Sequence, residues 1–214
     1  MRTSAHSVAV VVFDEVELLD VAAPLQAFAV AGRHWNWRPY KVFMVGRAAG
    51  RVETRSQVAL EVSCTLSDCP AVELLIVPGG YGARRALDDS ALISWLAERG
   101  AAAKLVGSVG WGGLLAARAG LADAVAVALP SEAALLLAEI APAARAADPG
   151  ERLVDAGKLV SVAESAAALD LGLQLVARTL GDKLALAAAH KLGHEWTTGA
   201  GARPPLRIEI SGKA

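Results

Sequence analysis

The stretch that most constrains the fold is residues 105–115, LVGSVGWGGLL. An apolar run stops at Gly110, and a Gly/Ala-rich helix begins at once. A buried strand that turns straight into a helix is the outline of a nucleophile elbow. Such a turn lifts one residue above a parallel sheet, beside the first N–H groups of the helix. Here the lifted residue is a glycine, so the turn is present without a nucleophilic side chain.

The rest of the chain supplies the sheet that such a turn needs. Residues 8–13 (VAVVVF) and 74–78 (LLIVP) are continuous apolar runs of the kind buried on both faces of a parallel sheet. Residues 16–31 carry Leu18, Leu19, Val21, Ala22, Leu25, Phe28 and Ala29 at helical spacing, with Pro24 as an internal irregularity. Residues 40–46 read as a second strand, and 51–54 and 58–62 as a short antiparallel extension. An amphipathic helix is expected over 90–99, with cap candidates at 88–90 and Gly100 closing it. Residues 104–109 enter the elbow and 111–118 leave it as a helix stopped by Gly120. A strand over 125–129 precedes a helix over 132–139 with Ser131 as its N-cap. After a loop at 141–150, residues 152–155 and 158–162 pair around Ala156-Gly157. A long helix then runs to about Thr179 and a second to about Leu192. Strands alternating with helices across short connections define an α/β fold, a doubly wound, mostly parallel, flavodoxin-like sheet flanked by helices. One domain is expected over 1–196. The remaining 197–214 reads as an extension, an edge strand or a subunit-swapped arm.

Charge and composition remove several function classes. The formal net charge is −1 and there is no basic run, so neither nucleic acid nor an anionic membrane is an expected partner. The run at 8–13 is too short for a membrane span, and a cytoplasmic protein is expected. Cys64 and Cys69 make neither a disulfide framework nor a recognisable zinc site. His190 and His194 have the spacing of two metal ligands on one helix face, but Gly193 intervenes and no third ligand is evident. They read as histidines near a helix C-terminus, and no metal or cofactor is expected. Trp35 and Trp37 read as cover for a sheet edge or a subunit contact.

Candidate functional residues gather where open α/β sheets bind ligands, at the carboxyl ends of the strands. Asp20 follows the first strand in apolar company, as a functional carboxylate or a solvated one. Gly79 and Gly80, followed by Tyr81, form a turn whose backbone can approach a ligand. Arg84 and Arg85 read as a solvated pair or as an attractor of anionic substrate. Ser131 reads as a cap rather than as a nucleophile.

Four motifs then occur in one order: residues 10–13 with 17–24 (ELLDVAAP), 75–82, the elbow running into 116–121 (AARAGL), and 153–161 with Asp170. On these the chain resembles the ThiJ/PfpI superfamily, the class I glutamine-amidotransferase-like fold. The resemblance is to the branch holding isonitrile hydratases and the N-terminal halves of some AraC-type regulators. It implies a homodimer, an acidic residue beside the elbow at Asp20, and an oxyanion hole from the N–H groups of Gly80 and Trp111. It also implies a cysteine at the elbow, a histidine after the next strand and a glycine opening the last site loop. Those positions here are Gly110, Pro130 and Glu164.

Cysteine covalent chemistry is therefore not expected. The leading reading is a hydratase or lyase acting on a small electrophile. Asp20 and Glu164 would provide acid–base chemistry, Gly80 and Trp111 the anion hole, and Gly79, Tyr81, Gly110, Pro130 and Ser131 the substrate surface. The alternative is a ligand-binding or sensor protein that performs no chemistry. Little chain follows the last helix, so a DNA-binding appendage is not expected.

Overall fold

The computed structural model describes residues 5–33 and 38–197. Its central sheet has seven strands. Strand β1 (His6–Val11) lies between β2 (Tyr40–Gly46) and β6 (Leu74–Val77), and β6 pairs in turn with β7 (Leu105–Val109). Beyond β7 come β11 (Leu159–Val162) and β10 (Leu153–Asp155), with β5 (Cys64–Thr65) at the opposite edge. Every pairing is parallel except β10–β11, the hairpin expected around Gly157, which has φ +87°.

The two faces of the sheet follow from the period-two alternation of its strands. Val8 and Val10 of β1, with Leu74 and Ile76 of β6, point to helices α1 (Leu18–Ala31), α6 (Ala168–Leu180) and α7 (Asp182–Lys191). Ala9 and Val11, with Leu75 and Val77, pack on α3 (Ser90–Ala102) and α4 (Gly112–Arg118) through Trp95, Leu96, Leu114 and Leu115. Both faces are thus buried, which is why the strands read as continuous apolar runs.

Helix α1 continues through Pro24. Pro24 faces Gly172 of α6 so closely that a Cβ at Gly172 would stand 2.6 Å from its Cα. The proline surface is used for packing while the helix gives up one N–H. The short strands β3 (Gly50–Glu53) and β4 (Ala59–Val62) form the expected antiparallel pair, separate from the main sheet.

Three local expectations need correction. Gly100 does not end α3; it lies inside the helix, where its missing side chain makes room for Leu121, whose Cδ1 would stand 2.4 Å from an added Cβ. The strand expected over 125–129 shortens to β8 (Ala126–Val127), paired with β9 (Arg145–Ala146). It stands apart from the main sheet, where β11 pairs with β7. Next to β8, Ala128 donates its N–H to the buried Ser161 hydroxyl of β11 at 2.9 Å. Ser131 does not cap α5 (Ser131–Ile140); it is the first helical residue, and Pro130 at the cap position offers no side-chain acceptor. Trp35, Trp37 and residues 198–214 lie outside the described residues.

Candidate functional site

The elbow is formed as its sequence requires. β7 ends at Val109, Gly110 takes φ +55°, and α4 starts two residues later with Trp111 at its cap. Gly110 donates its N–H to the Val162 carbonyl at 2.9 Å, tying the turn to β11. A Cβ on Gly110 would meet nothing closer than the Ala163 carbonyl at 3.5 Å, with Asp20 Oδ2 and Pro130 Cγ each at 4.0 Å. There is space for a side chain; the backbone conformation alone is costly, at about 1–2 kcal/mol for an L-residue. Gly112 is the reverse case, since its Cβ would stand 2.0 Å from the Val77 carbonyl.

The loop after β6 crosses beside the elbow. An added Cβ at Gly79 would lie 2.9 Å from Trp111 N and 3.0 Å from Asp20 Oδ2, so only a glycine fits there. Its N–H donates to Asp20 Oδ2 at 2.9 Å, and its carbonyl accepts from Glu17 N–H at 3.1 Å. Gly80, with φ +109°, bridges antiparallel to Val16. This pins the β1–α1 connection over the elbow and delivers Asp20, in the first turn of α1, to the space above Gly110.

Asp20 is 1% exposed. Its Oδ1 meets no partner with hydrogen-bond geometry among the described residues. Burial pushes its carboxyl up to about 6, opposed by the Ser165 hydroxyl and the Gly79 N–H, while the Glu17 charge raises it further. The anionic neighbour that acts on Asp20 is therefore Glu17, one helical turn away, rather than the expected Glu164.

A cavity of about 450 Å³ opens over these groups. Asp20, Gly80, Tyr81, Arg84, Gly110, Trp111, Pro130 and Glu164 all line it, so eight of the sequence-derived candidates converge on one space. Gly79 supports it from behind through Asp20. Ser131 does not reach it; that residue is exposed on α5, and its neighbour Glu132 contributes to the wall instead. Glu17, Arg55, Ala163 and Ser165 line the cavity without having been singled out. Ser165 carried a usable signal, a hydroxyl directly after the loop position that Glu164 fills. Arg55 carried none, because it comes from the β3–β4 hairpin.

The two arginines read as a pair separate here. Arg85 donates to Glu15 Oε2 at 2.6 Å, whereas Arg84 lies over the Trp111 ring, 4.8 Å from its centroid, on the cavity wall. Arg55 sits over Tyr81 at 5.3 Å and also binds Glu15, at 2.9 Å.

Neither cysteine lines the cavity, and no group of three or more potential metal ligands occurs among the described residues. His190 lies in the last turn of α7, and His194, just beyond the helix, bonds Asp170 Oδ1 at 2.6 Å while Arg152 donates to Oδ2 at 2.6 Å. His194 alone thus makes a structural tie, between α6 and the segment after α7, while His190 is exposed. No helix among the described residues is long and apolar enough to cross a membrane.

A parallel sheet, a positive-φ turn between β7 and α4, and a buried carboxylate held over that turn by a Gly-Gly loop define the elbow-centred class of α/β proteins. The chain belongs to the DJ-1/PfpI family, whose model matches residues 6–178. It is 26% identical over 117 residues to isonitrile hydratase of Pseudomonas putida, a match covering 55% of this chain and 49% of that protein, about half of its length. Among solved structures, a ThiJ/PfpI family protein from Pseudomonas syringae aligns with a TM-score of 0.80 at 24% identity, covering 96% of this chain and 79% of that one. An AraC family transcriptional regulator from Pseudomonas putida aligns at 0.78 with 21% identity, covering 87% and 99%. At these identities the structural likenesses speak for the fold.

Proposed function

We propose that this protein hydrates a small electrophilic substrate by carboxylate acid–base chemistry, with no covalent cysteine intermediate. The observation that carries the reading is Asp20, a carboxyl buried in the cavity wall, held by the Gly79 N–H on one oxygen with the Ser165 hydroxyl near it, and with its ionisation raised to about 6. A carboxylate is buried at a cost, and one whose ionisation falls close to neutral is suited to exchanging protons.

In the proposed reaction Asp20 accepts a proton from water as the water oxygen bonds to the electrophilic carbon. The negative charge gathers on the heteroatom of the substrate, where the N–H groups of Gly80 and Trp111 hold it. Asp20 then returns its proton to that heteroatom, so one water is added and the carboxylate is restored. On an isonitrile the terminal carbon takes both the hydroxyl and the electron pair, so the proton returns to that carbon and the adduct tautomerises to the formamide. The glycine at position 110 leaves the nucleophile's space to substrate and water. Gly79 keeps Asp20 in place, Tyr81 and Pro130 bound the substrate, and Glu164 at the exposed side of the cavity relays protons to solvent. The likeness to isonitrile hydratase makes isonitriles, with nitriles and aldehydes, the first substrates to try.

The test is incubation with small isonitriles, nitriles, amides and aldehydes, following thermal stability and product together. Hydration product from at least one electrophile supports the reading. A ligand that stabilises the protein and is recovered unchanged would contradict it and make the cavity a binding site without chemistry.

A further inference from the structure

The cavity wall carries a cation, Arg84, that no acidic group among the described residues pairs with. Among the described residues Arg84 makes no ion pair or hydrogen bond through its guanidinium, although its neighbours in space are committed: Arg85 and Arg55 both bind Glu15. Arg84 is held instead by the face of Trp111, at 4.8 Å. A cation–π contact of this kind holds a guanidinium over the ring without using its N–H groups, which stay available for a planar anion. The same indole belongs to the elbow, so the stacked guanidinium and the buried Asp20 carboxyl border one space.

The other charges of the wall sharpen this placement. Glu17, Glu132 and Glu164 would repel an anion from the positions they border, and Arg55 is engaged by Glu15. Among the charged side chains described around the cavity, Arg84 is then the one beside which an anionic group gains more than it loses. We propose that the ligand of this cavity carries a carboxylate, bound by Arg84 against Trp111, with its reactive end directed to Asp20 and Gly110. This rests on the reading of the cavity as a small-molecule site and adds the class of molecule, a short carboxylic acid with an electrophilic group.

Calorimetric titration with short alkyl carboxylates, and with their matched primary amides and amines, tests the inference without requiring turnover. Carboxylates should bind more tightly than the amides. Arg84→Gln should weaken carboxylate binding on the order of tenfold, the equivalent of about 1.4 kcal/mol, and leave amide binding unchanged. Arg85→Gln, which removes only the contact with Glu15, should leave both unchanged. Equal binding of carboxylates and amides, tighter binding of amines, no binding of any carboxylate, or an unaltered Arg84→Gln protein would each overturn it. Hydration of neutral electrophiles alongside such a failure would leave the proposed reaction standing. Arg84-dependent carboxylate binding without any turnover would remove the reaction and keep the carboxylate site.

Discussion

At the scale of single residues, burial sets the ionisation of Asp20. Its carboxyl is raised from 3.8 to about 6, with desolvation as the main cause. The folded state therefore holds the proton more tightly than the unfolded chain does. The penalty is absent below about pH 4, where both states are protonated, grows as pH rises, and is fully felt once pH exceeds about 6. The rise from 3.8 to about 6 corresponds to about 3 kcal/mol. Asp20→Asn keeps an oxygen for the Gly79 N–H and removes the buried charge. The variant should thus be more stable than the parent near pH 8, by up to about 3 kcal/mol, and equally stable near pH 4. Denaturant unfolding at the two pH values measures the difference; a variant that is less stable at both would show that the carboxylate is there to support the fold. Glu164 was legible as a departure in the last site loop, but the neighbour that acts on Asp20, Glu17, stood in the sequence only as the first residue of the 17–24 motif, at the cap of α1.

At the scale of elements, the elbow was legible because an apolar strand, a glycine and a small-residue helix follow each other without a spacer. Its two flanking glycines differ in a way that sequence does not show. Gly112 is required by a carbonyl 2.0 Å from the position of its absent Cβ, whereas Gly110 is required by nothing but its φ. Gly110→Cys should therefore fold, at a cost of about 1–2 kcal/mol, and place a thiol in the cavity. Cys69 is buried and its thiol is pushed up to about 12 by desolvation, and Cys64 is raised in the same way. Near neutral pH, iodoacetamide should modify the introduced cysteine and spare both native ones until the chain is unfolded. Native labelling of Cys64 or Cys69 as fast as position 110, read by mass spectrometry, would contradict this. The shortened β8 and the helical Gly100 escaped sequence reasoning for a related cause, since each is settled by a distant partner, β9 in one case and Leu121 in the other.

At the scale of the whole molecule, the cavity exists because the sheet order brings the carboxyl ends of β1, β6, β7 and β11 to one place. Asp20 comes from α1, the Gly-Gly loop follows β6, the elbow follows β7, and Glu164 and Ser165 follow β11. Residues attached to the ends of these strands could be assembled from the sequence once the doubly wound order was recognised. Arg55 could not, because it arrives from a hairpin outside the main sheet, and Arg84 could be separated from Arg85 only by the positions of Glu15 and Trp111. The proposed reaction belongs to this assembled cavity, and the pH dependence of hydration, measured for the parent and for Asp20→Asn, tests it most directly. With whichever electrophile the protein hydrates, kcat/KM should rise through an apparent pKa near 6 to a plateau, and Asp20→Asn should lower it by about 100-fold or more and remove that ionisation. A folded Asp20→Asn protein with the parent's rate and profile, or a parent rate that does not change between about pH 5 and 7, would contradict the account.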